Sequence, residues 1–285
     1  MKDPKRTESL LKSHYGRPNL SETLFGTLTK AGRRILSHRD TSAFDEFHIR
    51  GREATVDLAR LAGVHAGHHV LDLGCGVGGP SRLLAAEFNC RVTGIDLMAE
   101  YIDLAAKLTH KVGLSEKVSF AQCNMLNLPF GPDTFDVAWS QHTLMNIEDK
   151  RLLLTRIHQV LKPGGILALY EILSGAVTPI HYPVQWADHA AINFLLPENA
   201  MTDLLQGAGF KMVQWQDTTP ACTQWFTAVV DKMAKRAGTA RPPLGLNLII
   251  GPSAPEKARN TARNLRENRI RVVYGVFKKC NRSRG

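Results

Sequence analysis

The feature that most constrains the fold is a glycine-rich turn directly after a short apolar run, in the segment VLDLGCGVGGPS at positions 70–81. An aspartate followed by glycines at every second position fits D-x-G-x-G-x-G over positions 72–78. Glycine has no side chain, so the backbone of such a turn can approach a nucleoside closely. Pro80 suits the first turn of a following helix. The segment therefore predicts a strand, a ligand-binding turn and a helix in succession.

The same turn also fits a second nucleotide-binding pattern. Gly74, Gly76 and Gly79 satisfy G-x-G-x-x-G, the dinucleotide fingerprint. Both patterns place the turn at the carboxyl end of a first parallel strand. The second predicted strand ends at Asp96, whose carboxylate can accept hydrogen bonds from both ribose hydroxyls of an adenosine or cap the helix predicted over 99–111. These residues predict an adenosine-containing ligand, and a purely structural turn is the alternative.

Three later segments narrow the interpretation. They lie at 123–130, at 133–139 and at 161–165, the last directly before a predicted strand. In this order they resemble the class I S-adenosylmethionine (SAM) dependent methyltransferases, of the group that includes the ubiquinone/menaquinone C-methyltransferases. The chain is most similar to the sarcosine/dimethylglycine N-methyltransferase-like proteins. The similarity is carried by positions 45–48, 74–80, 141–142, 145–147 and 181–186.

The predicted architecture is α/β: a doubly wound, Rossmann-like, mostly parallel sheet with N-terminal helices and a helical insertion before the last strand. Alternating strands and helices at this spacing predict such a sheet. We expect an N-terminal helical lid at 1–51, a SAM-binding core at 52–219, and a basic helical insertion with the last strand at 220–285. The sequence predicts a helix from Leu20 through Leu36, a strand at 166–171 and a break at Pro242 and Pro243.

The resemblance implies an enzyme that transfers a methyl group from SAM to a small-molecule acceptor and releases S-adenosylhomocysteine. It favours N-methylation of an amine. The alternative is O- or C-methylation of a carboxylate- or diphosphate-bearing metabolite, followed by an RNA methyltransferase, an NAD-dependent oxidoreductase or a non-catalytic adenosyl-binding subunit. Methyl transfer from SAM requires no metal, and we expect none.

The resemblance also assigns residues to the cofactor. The glycine turn is expected to line the methionine and ribose, Asp96 to bind the ribose, and Leu97 to pack on the adenine. The family often has an acid where Asn124 stands, although the carbonyl of asparagine can still accept a hydrogen bond. Gln141 is expected to face the methionine part or the sulfonium. The full set is Asp72, Gly74, Cys75, Gly76, Asp96, Leu97, Asn124, Met125 and Gln141.

Three residues are candidates for catalysis. His142 follows the fourth predicted strand and could take a proton as a neutral imidazole, or could bond backbone and shape the pocket. Glu171 ends the fifth predicted strand, where a carboxylate could bind an amine, act as a base or cap a loop. His181 lies in the long loop that follows. We assign Tyr15, Tyr182 and Trp186 to the substrate region. Tyr182 and Trp186 are expected to form an aromatic wall, although Trp186 could simply pack within a lid. Tyr15 lies in a segment that often closes over SAM in related enzymes, where it could contact the carboxylate of the cofactor.

Charge and composition exclude some classes. Residues 229–285 hold 14 Lys and Arg against 3 Asp and Glu, so they carry all of the net charge of +10. The basic Arg259, Arg263 and Arg266 share one predicted helix face, either solvated or turned to an anionic partner, and nucleic acid is the less favoured partner. No apolar run reaches the ~18 residues of a membrane span. The five scattered cysteines predict no zinc site and a cytoplasmic protein. A homodimer is possible.

Overall fold

The computed structural model describes residues 4–236, 245 and 247–280. Seven strands form one sheet: β1 (His69–Leu73), β2 (Arg91–Asp96), β3 (Val118–Gln122), β4 (Phe135–Gln141), β5 (Leu161–Ser174), β6 (Phe210–Asp217) and β7 (Ile270–Lys279). The strand order is β3-β2-β1-β4-β5-β7-β6. All neighbours pair in parallel except β7, which runs antiparallel to β5 and β6. The predicted doubly wound, mostly parallel sheet is confirmed.

Helices cover both faces of the sheet. Alternate residues of a strand point to opposite faces, and in β1 Val70 packs in one apolar cluster while Leu71 and Leu73 pack in another. The helices are α1 (Pro4–Tyr15), α2 (Leu20–Lys30), α3 (Ser42–Asp45), α4 (Gly51–Leu61), α5 (Gly79–Glu87), α6 (Ala99–Lys111), α7 (Lys150–Val160), α8 (Glu198–Gly207), α9 (Thr219–Arg236), α10 (Asn247–Ile250) and α11 (Ala254–Arg266).

Two element boundaries differ from the sequence prediction. The prediction that α2 continues to Leu36 is wrong, because Gly32 takes a φ of 62° and the N–H of Arg33 closes back on the carbonyl of Leu28 at 2.9 Å. Strand β5 is longer at both ends than the predicted 166–171, because Leu161 pairs with Phe135 of β4 and the ladder with β7 continues to the pair Ser174 and Ile270. The predicted break at Pro242 and Pro243 lies outside the described residues.

Much of the basic charge of the C-terminal region is paired within the fold. Lys257 contacts Asp188 at 3.0 Å, and Lys279 contacts Asp133 at 2.9 Å. On α11, the predicted arginine face is exposed to solvent, consistent with the solvated interpretation of that face. Within the described part of the chain, no helix is both long and apolar enough to cross a bilayer.

Candidate active site

A cavity of about 980 Å³ opens at the carboxyl ends of β1, β2 and β4. The strand ends of an open α/β sheet form such a crevice where the strand order reverses, here between β1 and β4. Helix α1 and the short α10 contribute to its walls. One end is lined by the glycine turn and Asp96. The other end is lined mainly by apolar side chains of one core cluster, among them Ile172, Trp186, Trp225 and Phe226.

The glycine turn is held against two neighbouring strands. The backbone N–H groups of Gly74 and Cys75 both donate to the carbonyl of Ile95, at 2.8 and 2.9 Å. Gly74 has a φ of 72°, and a Cβ there would lie 2.5 Å from Cγ2 of Thr143. Asp72 accepts from the hydroxyl of Ser81 at 2.5 Å, and burial raises its pKa to about 7. The turn therefore exposes backbone to the cavity at a position where a larger residue does not fit.

Asp96 lines the cavity beside this turn. One carboxylate oxygen accepts from the N–H of Gly76 at 3.0 Å, and the other accepts from the N–H of Met98 at 2.9 Å. Burial raises the pKa of Asp96, and hydrogen bonds from the backbone N–H groups of Met98, Gly76 and Leu97 act against that rise. A carboxylate has about four lone-pair sites, so acceptor capacity remains for a ligand. A partly buried carboxylate that faces the cavity fits a ribose hydroxyl, and the bare glycine backbone fits the nucleoside next to it.

The predicted adenine-edge residues take different positions. Leu97 and Met125 line the same end of the cavity as Asp96. Asn124 is exposed, and its side-chain oxygen already accepts from the N–H of Leu126 at 3.0 Å. Its amide nitrogen donates to Glu8 of α1 at 3.2 Å. Asn124 therefore links α1 to the cavity rim, and an adenine contact there remains a prediction.

Gln141 and His142 stand between the two ends of the cavity. The side-chain oxygen of Gln141 accepts from the indole N–H of Trp139 at 2.9 Å. Nε2 of Gln141 and Nε2 of His142 are both buried and have no hydrogen-bond partner among the described residues. His142 has a φ of 49°, and its ring stacks on Tyr170 with 4.6 Å between centroids. Burial holds the pKa of His142 well below its usual range, so its imidazole is neutral.

Comparison with known proteins places the chain in a family. The family described as "Methyltransferase domain" matches residues 71–169. The O-methyltransferase cnsE of Penicillium expansum is 31% identical over 194 residues, which cover 66% of this chain and 70% of cnsE. The chain belongs to the methyltransferase family. This methyltransferase also matches curated relatives named as N- and C-methyltransferases, so the comparison leaves the acceptor atom open. It spans about half or less of the length of several curated relatives.

Solved structures show the same fold in proteins with different activities. The [4+2]-cyclase SpnF has a TM-score of 0.70 and 20% identity, with 96% of each chain covered. A putative sarcosine dimethylglycine methyltransferase from Galdieria sulphuraria has a TM-score of 0.68 and 16% identity, covering 91% of this methyltransferase and 98% of that chain. At these identities the likeness shows the fold alone, and the closer sequence resemblance to the sarcosine/dimethylglycine group stays a prediction.

Glu171 was predicted to take part in catalysis, but it is not among the described residues that line the cavity. Of the three predicted catalytic residues, only His142 is among the described residues that line the cavity. The carboxylate of Glu171 accepts from the hydroxyl of Ser140 at 2.7 Å and faces the N–H groups of Thr143 and Leu144 at 3.2–3.3 Å. Burial raises its pKa to about 7. In the structure Glu171 holds the turn that follows β4, which is the loop-capping alternative.

The loop after β5 also differs from the prediction. His181 packs on α11, where its ring contacts Glu267 at 2.9 Å and its backbone N–H donates to Asn264. Tyr182 packs against an apolar core cluster, and within the described residues neither His181 nor Tyr182 contributes to the cavity wall. Trp186 does line the cavity, and its indole N–H donates to Asn193 at 2.7 Å. The first part of the loop, at His181, therefore packs on α11, and only the last part, at Trp186, lines the cavity.

Tyr15 lies in the cavity wall and connects α1 to the methyltransferase core. Its hydroxyl donates to the side-chain oxygen of Asn146 at 2.7 Å. The amide of Asn146 in turn donates to the carbonyls of Trp186 and Ile192. Burial raises the pKa of Tyr15 well above its usual range, so the phenol remains protonated. The cavity therefore depends on contacts between segments far apart in the chain.

A buried network beside Gln141 has no counterpart among the predicted site residues. Nε2 of His48 donates to the carbonyl of Gly51 at 2.9 Å and lies 3.0 Å from the hydroxyl of Thr55. Thr55 lies 3.3 Å from Glu46 and from the oxygen of Gln141. Burial lowers the pKa of His48 to about 4. The run Asp-Glu-Phe-His at 45–48 contributed to the family resemblance, but the sequence pattern did not predict which residues these side chains contact.

Proposed function

We propose that this protein transfers a methyl group from SAM to a small-molecule acceptor and releases S-adenosylhomocysteine. One observation carries the proposal: a single cavity joins the glycine turn and Asp96 at one end to an apolar, aromatic region at the other. When bound, SAM supplies a methyl group on a positively charged sulfonium, which a nucleophile takes in line. Membership of the methyltransferase family supports the same activity.

The residues of the chain supply alignment and exclusion of water. Methyl transfer needs the two reacting atoms about 3 Å apart in a site that holds little water. Asp96 and the glycine turn would fix the nucleoside, with Leu97 and Met125 beside the adenine. Tyr15 and Trp186 would close the opposite wall through their shared contacts with Asn146. A neutral His142 could accept a proton from a protonated acceptor.

The acceptor is a small molecule with an apolar body. The resemblance to sarcosine/dimethylglycine N-methyltransferases favours an amine, and aromatic walls such as Trp186 can face a cation. Pairing of basic residues such as Lys257 and Lys279 within the fold weakens the case for RNA. The five cysteines are unpaired thiols, which supports the proposed cytoplasmic location. The helical lid at 1–51 and a homodimer remain predictions.

Calorimetry with S-adenosylhomocysteine and with NAD tests the cofactor half of the proposal. We expect the purified protein to bind S-adenosylhomocysteine and to bind NAD more weakly or not at all. Tighter binding of NAD would support the oxidoreductase alternative instead. A variant with Glu116, an exposed surface residue, changed to Ala serves as the control preparation.

A further inference from the structure

The turn after β4, residues 142–147, contacts both ends of the cavity. Near its start, Thr143 lies against the glycine turn, because a Cβ added to Gly74 would stand 2.5 Å from Cγ2 of Thr143. Near its end, the side chain of Asn146 accepts from the hydroxyl of Tyr15 and donates to a carbonyl of the loop after β5. The position of this one short turn therefore affects the cofactor end and the acceptor end together.

The backbone of this turn is held in a conformation that few residues adopt. His142 has a φ of 49°, in the left-handed region that a residue with a side chain rarely enters. Such a conformation persists only where the surrounding structure enforces it. The N–H of His142 donates to the carbonyl of Tyr170 at 2.8 Å, and its ring stacks on the ring of the same tyrosine. The orientation of the candidate base therefore depends on how firmly β5 holds the turn.

Glu171, the next residue of β5, binds the start of the turn. Its carboxylate lies 3.2–3.3 Å from the N–H groups of Thr143 and Leu144 and accepts from the hydroxyl of Ser140 at 2.7 Å. Hydrogen bonds from N–H groups to a carboxylate are stronger than those to a neutral acceptor. Glu171 is buried and is not among the described residues that line the cavity. Its carboxylate therefore binds the backbone of the turn.

Lys150 of α7 binds the opposite end of the same turn. Its ammonium donates to the carbonyls of Ile147 and Phe194 at 2.7 and 2.5 Å. A short 3-10 helix, Leu144–Asn146, lies between Glu171 and Lys150, so the carboxylate meets its N–H end and the ammonium its carbonyl end. Burial raises the pKa of Glu171 to about 7 and lowers that of Lys150 to about 8. Burying such groups costs stability, and what they hold in place is the turn.

We propose that Glu171 is a positioning residue for methyl transfer, which together with Lys150 fixes the turn that carries His142. This inference rests on the proposed function, in which His142 accepts a proton. The sequence predicted Glu171 to bind an amine, to act as a base or to cap a loop, whereas here it acts through the backbone of the turn. A displacement of about 1 Å at a reacting group can lower a rate about 100-fold, so the anchor of the turn influences the rate from outside the cavity.

Glu171→Gln tests this role because it keeps the size of the side chain and removes the carboxylate. Glutamine has one carbonyl oxygen to offer, and its NH₂ group would face a donor of the turn. Glu198→Gln is the matched control. Glu198 accepts hydrogen bonds from Trp215 and Arg271, but it is not among the described residues that line the cavity. Lys150→Met keeps the length of the side chain, removes the ammonium and tests the other end of the turn independently.

The rate of methyl transfer is measured with saturating methyl-labelled SAM and a metabolite extract, as label in the small-molecule fraction. We expect Glu171→Gln to lower this rate about 10- to 100-fold, and Lys150→Met to lower it as well. The affinity of Glu171→Gln for S-adenosylhomocysteine, measured by calorimetry, should be nearly unchanged, because Thr143 keeps its hydrogen bond to the carbonyl of Leu73. Glu198→Gln should match the unmodified protein in both measurements.

A double variant separates positioning from a general loss of stability. If Glu171 acts through His142, the protein that carries both Glu171→Gln and His142→Asn should be no slower than His142→Asn alone. Losses that multiply in the double variant would show that Glu171 acts independently of His142, and would overturn the inference. Thermal unfolding shows which variants are folded, and Lys150→Met takes the place of Glu171→Gln in this comparison if the latter is not.

Amide hydrogen exchange tests the anchor without any substrate. The N–H groups of Thr143 and Leu144 should exchange slowly in the unmodified protein and in Glu198→Gln, and faster in Glu171→Gln. Fast exchange in the unmodified protein, or an unchanged rate of methyl transfer in a folded Glu171→Gln, would overturn the inference. Failure of the proposed function looks different, because the unmodified protein would then fail to bind S-adenosylhomocysteine while these two N–H groups stayed protected.

Discussion

The two ends of the cavity are built in opposite ways. The cofactor end comes mainly from one short stretch of chain, 72–98, with Met125 beside it, and presents backbone atoms and the carboxylate of Asp96. The acceptor end is assembled from α1, the turn after β4, the end of the loop after β5, α9 and α11. The cofactor end can be predicted from a pattern of neighbouring residues in the sequence. The acceptor end forms only when distant segments pack together, so the roles of its residues are inferred from the hydrogen bonds in the structure.

The ionisable side chains also differ between the cofactor end of the cavity and the rest of it. The cofactor end holds buried carboxyls, and burial raises the pKa of both Asp72 and Asp96. Between the cofactor end and the acceptor end lie two histidines, His48 and His142, which burial keeps neutral. The carboxylate that accepts hydrogen bonds from a ribose is therefore separate from the histidine that accepts a proton during methyl transfer. The following changes test that separation, beginning with the largest expected effect.

Asp45→Asn should cost the most, because Asp45 joins α3 to the helix after the glycine turn. Its carboxylate pairs with Arg82 at 2.6 Å, and both side chains are almost completely buried. Removing one charge from a buried pair typically costs about 3–5 kcal/mol. Chemical denaturation should show a loss of this order in the free energy of unfolding. Lys107→Gln, which breaks an exposed pair with Asp103, should cost less than about 1 kcal/mol. Equal effects would mean that the buried pair does not anchor α3.

His142→Asn should affect the acceptor end alone. Asparagine tolerates the positive φ at this position better than most residues. Loss of a general base should lower the turnover number by about 100-fold. The affinity for S-adenosylhomocysteine, measured by calorimetry, should stay the same. Parallel losses of turnover and of this affinity would place His142 in cofactor binding instead.

Asp96→Ala should affect the cofactor end alone. Hydrogen bonds to a charged acceptor contribute about 1.5–3 kcal/mol, so affinity for S-adenosylhomocysteine should fall roughly 10- to 100-fold. An Asp96→Ala variant with unchanged calorimetric affinity for S-adenosylhomocysteine would remove this residue from the cofactor site.

The last prediction concerns the pH dependence of stability at the turn that follows β4. Burial raises the pKa of Glu171 from an ordinary value of 4.5 to about 7, so the folded protein holds this proton more tightly than the unfolded chain does. Its stabilising contribution is full below pH 4.5 and is lost as the pH rises through 7. Glu171→Gln stays neutral, so its free energy of unfolding should fall less between pH 5 and pH 8 than that of the unmodified protein, by roughly 2–3 kcal/mol. A pH profile parallel to that of the unmodified protein would contradict this.

The sequence predicted the cofactor end far better than the acceptor end. The glycine turn and Asp96 are neighbours in the fold because they end adjacent parallel strands, and alternating strands and helices determine that arrangement. Glu171 was predicted at the same rim, but its position on β5 did not reveal that its carboxylate accepts from Ser140 of β4 and from two N–H groups of the turn after β4. His181 was assigned to catalysis because it lies in the loop after β5, but this part of the loop packs on α11 and away from the cavity.

The direction of the Gln141 amide could not be predicted either. Trp139 and Gln141 are two residues apart on β4, so the pleat places both side chains on one face of the sheet. Sequence spacing allowed their contact but did not require it. The buried network of His48 and Thr55 depends in the same way on packing of the N-terminal segment against β4.

The most direct test of the account is the fate of the methyl group. Purified protein is incubated with methyl-labelled SAM and a cell extract that contains metabolites, RNA and protein, and the three fractions are then separated. We expect label in the small-molecule fraction, formed about 100-fold more slowly by His142→Asn and at an unchanged rate by Glu116→Ala. Label in RNA, or no transfer to any fraction by a protein that binds S-adenosylhomocysteine, would contradict it.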